Sequence, residues 1–209
     1  MNRDTIIKRK PIITIILVAV NIGIFLLLEM MGNTDDTGFM LSKGAMFTPY
    51  VLERAEYYRL FTCMFLHFGI NHIANNMICL AGLGAIVEDE VGKVRFAIIY
   101  LVSGLVGNIV PMILDMKELS PIAVSAGASG AIMGIAGAFL FIVIKNKGQL
   151  GGYTTGKVLF FIALTIYAGI RSTGVDNVAH ISGAVAGFIV AAIVYGLFGS
   201  RKKTSLDEY

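Results

Sequence analysis

Charge-poor runs alternate with short charged or turn-forming segments along the whole chain, falling at about 11–31, 68–87, 96–114, 122–144, 157–171 and 177–199. Runs of this length and charge poverty predict six membrane-spanning helices. The fifth is the short one: 13 residues separate Lys157 from Arg171, against the roughly 20 that cross a bilayer at right angles. Parity decides its assignment. Both termini are basic, "RDTIIKRK" at the start and "RKK" at 201–203, and Lys and Arg collect in short cytoplasmic flanks, so both ends are expected inside and the span count even. With six spans, 12 of the 17 Lys and Arg fall inside and five outside, the five being Lys43, Arg54, Arg59, Lys117 and Arg171. The organisation expected is a cytoplasmic N-terminal segment 1–10, a membrane domain 11–199 and a cytoplasmic tail 200–209.

The connection at about 32–66 is long and amphipathic and lies outside in this topology. Loops of this length are usually functional or partly embedded. Its aromatic and methionine content, from Phe39 and Met40 to Tyr57, Tyr58, Phe61 and Phe65, suits a segment lying in the interface. Within the spans, Gly130 with Gly134 and Gly183 with Gly187 repeat at a spacing of four, which lets helix backbones approach closely in lipid.

Composition agrees with the pattern. A chain of 209 residues with 56% hydrophobic and 15% charged content reads as a one-domain polytopic membrane protein. The formal charge of +3 is small and its basic residues sit at segment ends, so nucleic acid is not an expected partner. Cys63 and Cys79 would stand roughly 24 Å apart along a helix, too far for a disulfide. The basic head before the first apolar run resembles a signal peptide's, but no small-residue cleavage site precedes Glu29, so a retained first span is expected. The compact chain without a transit-like leader favours a bacterial plasma membrane.

Polar groups inside spans are costly and mark function by default. His72 and Asn76 lie four apart in "HFGINHIANNM" and share a helix face. An imidazole and a carboxamide there either donate hydrogen bonds to a developing oxyanion or clasp a neighbouring helix. Ser129 stands in "GASG" after Pro121 and a run of small residues, where irregular backbone gives way to helix. Such a serine combines a hydroxyl with backbone N–H groups not used by the helix, or is simply a small packing residue. His180, in "VDNVAHISGAVAG", is followed by the Gly183/Gly187 stripe, which would press its helix against Gly130 and Gly134 and bring the imidazole beside Ser129. Serine with histidine as base is the minimum for an activated hydroxyl nucleophile. Asp176, four residues before His180, is either an orienting carboxylate or a solvated residue at the span mouth. His67 and His72 lack the spacing of a zinc motif, and no metal or cofactor is expected.

"HFGINHIANN", "GASG" and "AHISGAVAG", in that order on the second, fourth and sixth spans, resemble the rhomboid intramembrane serine proteases, from about Glu56 to Gly187. The resemblance implies a six-helix, all-α membrane bundle with a long outer first loop and an active site opening to the outer face. It implies Ser129 as nucleophile, His180 as general base, and His72 and Asn76 as oxyanion donors, with Gly127 before the nucleophile. It implies a structural role for His67, for Glu56 and Arg59 in the first loop, and for Glu88 in "GAIVEDEVG". The substrates implied are transmembrane proteins within the lipid bilayer; no oligomeric state is implied. Two positions depart from the family pattern: Tyr58 stands where Trp is common, and Met133 where an aromatic often supports the histidine ring, a softer support expected to alter rate or pH dependence. The alternatives are a catalytically silent rhomboid-like adaptor that binds single-span clients, which the presence of both Ser129 and His180 argues against, and a solute carrier, for which the spans lack midplane charge.

Overall fold

The computed structural model describes residues 10–117, 123–171 and 175–198. The basic segment before Lys10, Pro121 and the tail 200–209 lie outside the described residues. Helices occupy all six apolar runs: α1 Ile12–Met31, α5 Gly69–Val91, α6 Lys93–Met116, α7 Ser129–Lys145, α8 Thr155–Arg171 and α9 Asn177–Phe198. The first connection carries α2 Thr37–Ser42, α3 Thr48–Glu53, α4 Arg59–Thr62 and a 3-10 turn at Cys63–Phe65. Helices α1, α5, α6 and α9 are long and apolar enough to cross a membrane, whereas α7 and α8 have 17 residues each.

The bounds depart from the sequence expectation by three residues or more in three places. Helix α5 runs on to Val91, past 87, and α6 begins at Lys93 rather than 96, because Gly92 at φ +83° makes the turn between them in a single residue. The run expected to be helical from 122 is helical only from Ser129. Residues 123–128 carry the irregular backbone anticipated before the serine, and Ser125 pairs with Met46 in an antiparallel bridge. The bundle is also not purely helical: β1 Gln149–Leu150 and β2 Tyr153–Thr154 form a two-residue hairpin between α7 and α8.

Helix α7 is the axis. Every residue from Gly130 to Phe139 is buried, and small residues make that burial possible. A methyl group added at Gly183 or Gly187 of α9 would collide with the backbone carbonyls of Gly130 and Gly134, and one at Gly137 with the Ala184 carbonyl. From the third side, Gly134 abuts Ser103 of α6, and a methyl at Gly107 would meet the Ala179 carbonyl oxygen at 3.2 Å. Ser103 and Gly107 on α6 therefore join the small residues on α7 and α9, so three backbones meet there without large side chains between them.

Two buried charged groups order the outer elements, one joining α5 to α1 and the other folding the first connection. Glu88 on α5 is 3% exposed, and its carboxylate accepts from the Ile13 N–H (2.9 Å), the Thr14 N–H (2.7 Å) and the Thr14 hydroxyl (2.8 Å). It thereby satisfies the first turn of α1, which no residue of α1 caps. Arg59, 4% exposed, donates to the carbonyls of Leu41 and Ala45 (both 2.8 Å) and from Nε to Glu56 (2.6 Å). The two bonds from the buried Arg59 guanidinium to main-chain carbonyls contribute about 1.5–3 kcal/mol each and hold the connection folded on itself. Although desolvation opposes it, hydrogen bonds from Arg59 and Tyr58 and the Arg59 and Arg54 charges hold the Glu56 carboxyl below its ordinary value.

Candidate active site

Ser129 is the first residue of α7, half-buried, and the backbone before it is held from three directions. The Ser125 N–H and carbonyl exchange hydrogen bonds with Met46 (2.9 and 2.8 Å). The Gly127 N–H donates to the Cys63 carbonyl (2.9 Å), and the Ala128 N–H to His67 Nε2 (3.3 Å). Two of the three partners, Cys63 and His67, lie in the stretch from Arg59 to the start of α5, so the segment before α5 clamps the backbone that precedes the serine. Because Gly127 and Ala128 have spent their N–H groups, the donors left at the head of α7 belong to Ser129 and the residues after it.

Gly127 has φ +140°, a conformation that L side chains rarely adopt. A β-carbon there would stand 2.9 Å from both Cε1 and Nε2 of His72 and 3.7 Å from Ser129 Oγ. The glycine thus lets the imidazole of His72 and the hydroxyl of Ser129 share one small space. His72 also packs edge-on to His67, with ring centroids 5.3 Å apart. Asn76, one turn along α5 and 6% exposed, donates one amide hydrogen to the His72 carbonyl (3.0 Å), which leaves its second hydrogen for another acceptor.

His180 lies in the first turn of α9 and is 7% exposed. A methyl at Gly130 would stand 3.6 Å from the carbonyl oxygen of Ala179, and Gly183 faces the Gly130 carbonyl. The turn of α9 from Ala179 to Gly183 therefore spans the residue that follows Ser129, and His180 belongs to that turn. Asp176 does not orient the imidazole: its carboxylate accepts from the Ala179 N–H at 2.9 Å as a helix cap. Burial pushes the Asp176 carboxyl above its ordinary value, opposed by the N–H groups of Ala179 and Val178 and assisted by Asp115. Among the described residues no side chain hydrogen-bonds His180 Nδ1. Met133, one turn after Ser129, is 2% exposed within the α7 core.

The structure thus brings Gly127, Ser129, His72 and His67 together, and sets His180 on the adjoining turn. Glu56, Arg59 and Glu88 lie elsewhere, in structural ties. No group of three or more His, Cys, Asp or Glu among the described residues is arranged to hold a metal ion. Sequence reasoning passes over the carbonyl of Cys63, the Met46–Ser125 bridge, Ser103 and Asn108. The main-chain partners leave no trace in residue type. Ser103 and Asn108 are within its reach, since a polar residue inside an apolar run is the very signal that singles out His72 and Asn76.

A family model described as "Rhomboid domain" matches residues 54–197. Over 196 residues the chain is 34% identical to the Rhomboid protease GluP of Bacillus subtilis (strain 168), covering 92% of this chain and 37% of that protein. It is 33% identical over 167 residues to RHOMBOID-like protein 1 of Arabidopsis thaliana (76% of this chain, 41% of that protein). It is 35% identical over 169 residues to RHOMBOID-like protein 2 of the same plant (78% and 51%). The chain spans about half the length of these curated relatives or less.

Proposed function

The chain belongs to the rhomboid family and is an integral membrane protein, and on that premise we propose that it is an intramembrane serine endopeptidase with a Ser129–His180 dyad. One observation carries the reading: Gly127 at φ +140° leaves room for the His72 imidazole beside the Ser129 hydroxyl. A packing serine needs neither a left-handed glycine before it nor an imidazole over it.

In the proposed reaction a transmembrane substrate unwinds locally, because a peptide carbonyl held in a helix is shielded from attack. Ser129 Oγ attacks the carbonyl carbon as its proton passes to the His180 imidazole. The oxyanion receives hydrogen bonds from the Ser129 N–H, from His72 and from the uncommitted amide hydrogen of Asn76. On collapse the C–N bond breaks and His180 returns the proton to the leaving amine. Water then attacks the acyl-enzyme, with His180 again as base. No third residue is needed, in keeping with the capping role of Asp176. In this reading α7 and α8 complete six spans, both termini face the cytoplasm of a bacterial cell, and the site opens to the outer face, where the first connection lies.

The test is cleavage of a single-span reporter by purified, reconstituted protein, comparing wild type with Ser129→Ala and His180→Ala at matched thermal stability. Loss of about a thousandfold or more in both variants is expected. Equal cleavage by all three proteins would sink the dyad, and a bound but uncut reporter with wild type would favour the adaptor.

A further inference from the structure

Asn108 sits inside the apolar run of α6, and the proposed chemistry does not use it. Its side-chain amide donates to the carbonyl of Leu60 (2.8 Å) and to the thiol of Cys63 (3.0 Å). Both acceptors belong to the short helical stretch Arg59–Phe65 of the first connection. The same Cys63 accepts, through its main-chain carbonyl, the N–H of Gly127 (2.9 Å). One unbroken line therefore runs from a membrane helix to the peptide that precedes Ser129: Asn108 amide, Leu60–Cys63 turn, Gly127 N–H. The side-chain ties of Arg59 to Leu41 and Ala45, and of Thr62 to Gly44, run back into the first connection itself. They hold that connection together without fixing its height against the bundle. Helix α6, by contrast, is anchored to α7 and α9 through Ser103 and Gly107, so an amide projecting from it is a fixed reference point.

We propose that Asn108 is a positioning residue for the reaction: it sets the Leu60–Cys63 turn so that the Cys63 carbonyl holds Gly127 in the backbone conformation that aligns Ser129 with its oxyanion donors. The inference rests on the reading of Ser129 as nucleophile. The work is done by main-chain carbonyls at both steps, since the amide grips Leu60 and the turn grips Gly127. The Cys63 thiol is a secondary acceptor. Asn108 touches no substrate atom and acts only through this line. Small displacements of a reacting group cost rate steeply even when the change lies far from the chemistry.

The experiment uses the full chain in liposomes and compares Asn108→Leu, which keeps the branched four-atom skeleton but has no donor, with Cys63→Ala, which removes the thiol and leaves both carbonyls. Two rates are read: reporter cleavage, split into kcat and KM, and inactivation by a fluorophosphonate probe, which needs an aligned serine but no transmembrane substrate. Asn108→Leu is expected to lower kcat and the inactivation rate by the same factor, about tenfold, with KM unchanged, and by a larger factor than Cys63→Ala, which loses only the secondary acceptor. If Asn108→Leu does not fold, Asn108→Ser, too short to reach Leu60, is read in the same way. Inactivation at the wild-type rate by the Asn108 variant, or a change in KM alone, would overturn the positioning role while leaving the dyad standing. A wild-type protein that the probe does not label at Ser129 would overturn both.

Discussion

Helices α7 and α8 have the same length, 17 residues, and opposite situations. In α7 the ten residues from Gly130 to Phe139 are all buried, whereas in α8 only Val158 and Gly169 are. Hydrophobicity is only part of the difference: α8 is the less apolar of the two, yet it still carries Leu159, Phe160, Phe161, Ile162 and Leu164 in one run. Side-chain size is the larger difference. The α7 sequence "SGAIMGIAGAF" offers Gly130, Gly134 and Gly137 to its neighbours' backbones, while large residues of α8 point outward, with Phe160 68% and Tyr167 61% exposed. In lipid there is no hydrophobic drive to bury such residues, so small ones decide which helix is central. The candidate nucleophile thus sits on the helix most completely held, beside one held loosely.

The most severe way to break this comparison is at the centre. Gly187→Leu drives a side chain into the Gly134 carbonyl and is expected to destabilise the bundle by about 3 kcal/mol or more, seen as loss of folded protein on thermal denaturation in detergent. Survival of Gly187→Leu with unchanged stability would mean that α7 and α9 are not locked by backbone contact. Next comes Gly127→Ala, which leaves the helices intact but combines backbone strain with a collision against His72. Cleavage is expected to fall about a hundredfold for a stability loss of only about 1–3 kcal/mol, measured in parallel on the same preparation.

A gentler change sharpens the contrast from the other side. The Asn177 amide, oriented to satisfy both its atoms, donates to the Ile166 carbonyl (3.2 Å) and accepts from the Ile170 N–H (3.1 Å), tying the head of α9 to the end of α8. Asn177→Val is expected to speed amide hydrogen exchange along α8 severalfold while α7 keeps its protection; equal acceleration in both would show one cooperative unit instead of two. The smallest effect is expected at Phe160→Ala, within about 0.5 kcal/mol of wild type, because that side chain is already exposed on the outside of the bundle.

Much of this architecture is legible in residue type and spacing. The six long helices, α1 and α5 to α9, fall on apolar runs, and the packing of Gly130 and Gly134 against Gly183 and Gly187 follows from their spacing of four. Glu88 as a structural tie comes with the family resemblance, but its partner does not: nothing in "PIITI" says that the first turn of α1 lacks a cap and will take one from α5. Asp176 is ambiguous for a related reason. A carboxylate four residues before a histidine is spaced either to orient it or to cap its helix, and only the Ala179 N–H at 2.9 Å separates the two. Asn108 escapes a search confined to residues with catalytic chemistry, although an amide inside an apolar run is its own signal.

Sequence alone therefore determined that the chain is a helical membrane protein of this family, and which residues are its candidate chemistry, because apolar length, charge placement and motif order are properties of residue type. Only the tertiary structure decided how the peptide before Ser129 is held. The clamp consists of the carbonyl of Cys63, the main chain of Met46 and the left-handed conformation of Gly127. Every residue has a carbonyl and, proline apart, an N–H, so which of them meet is set by the packing of distant segments.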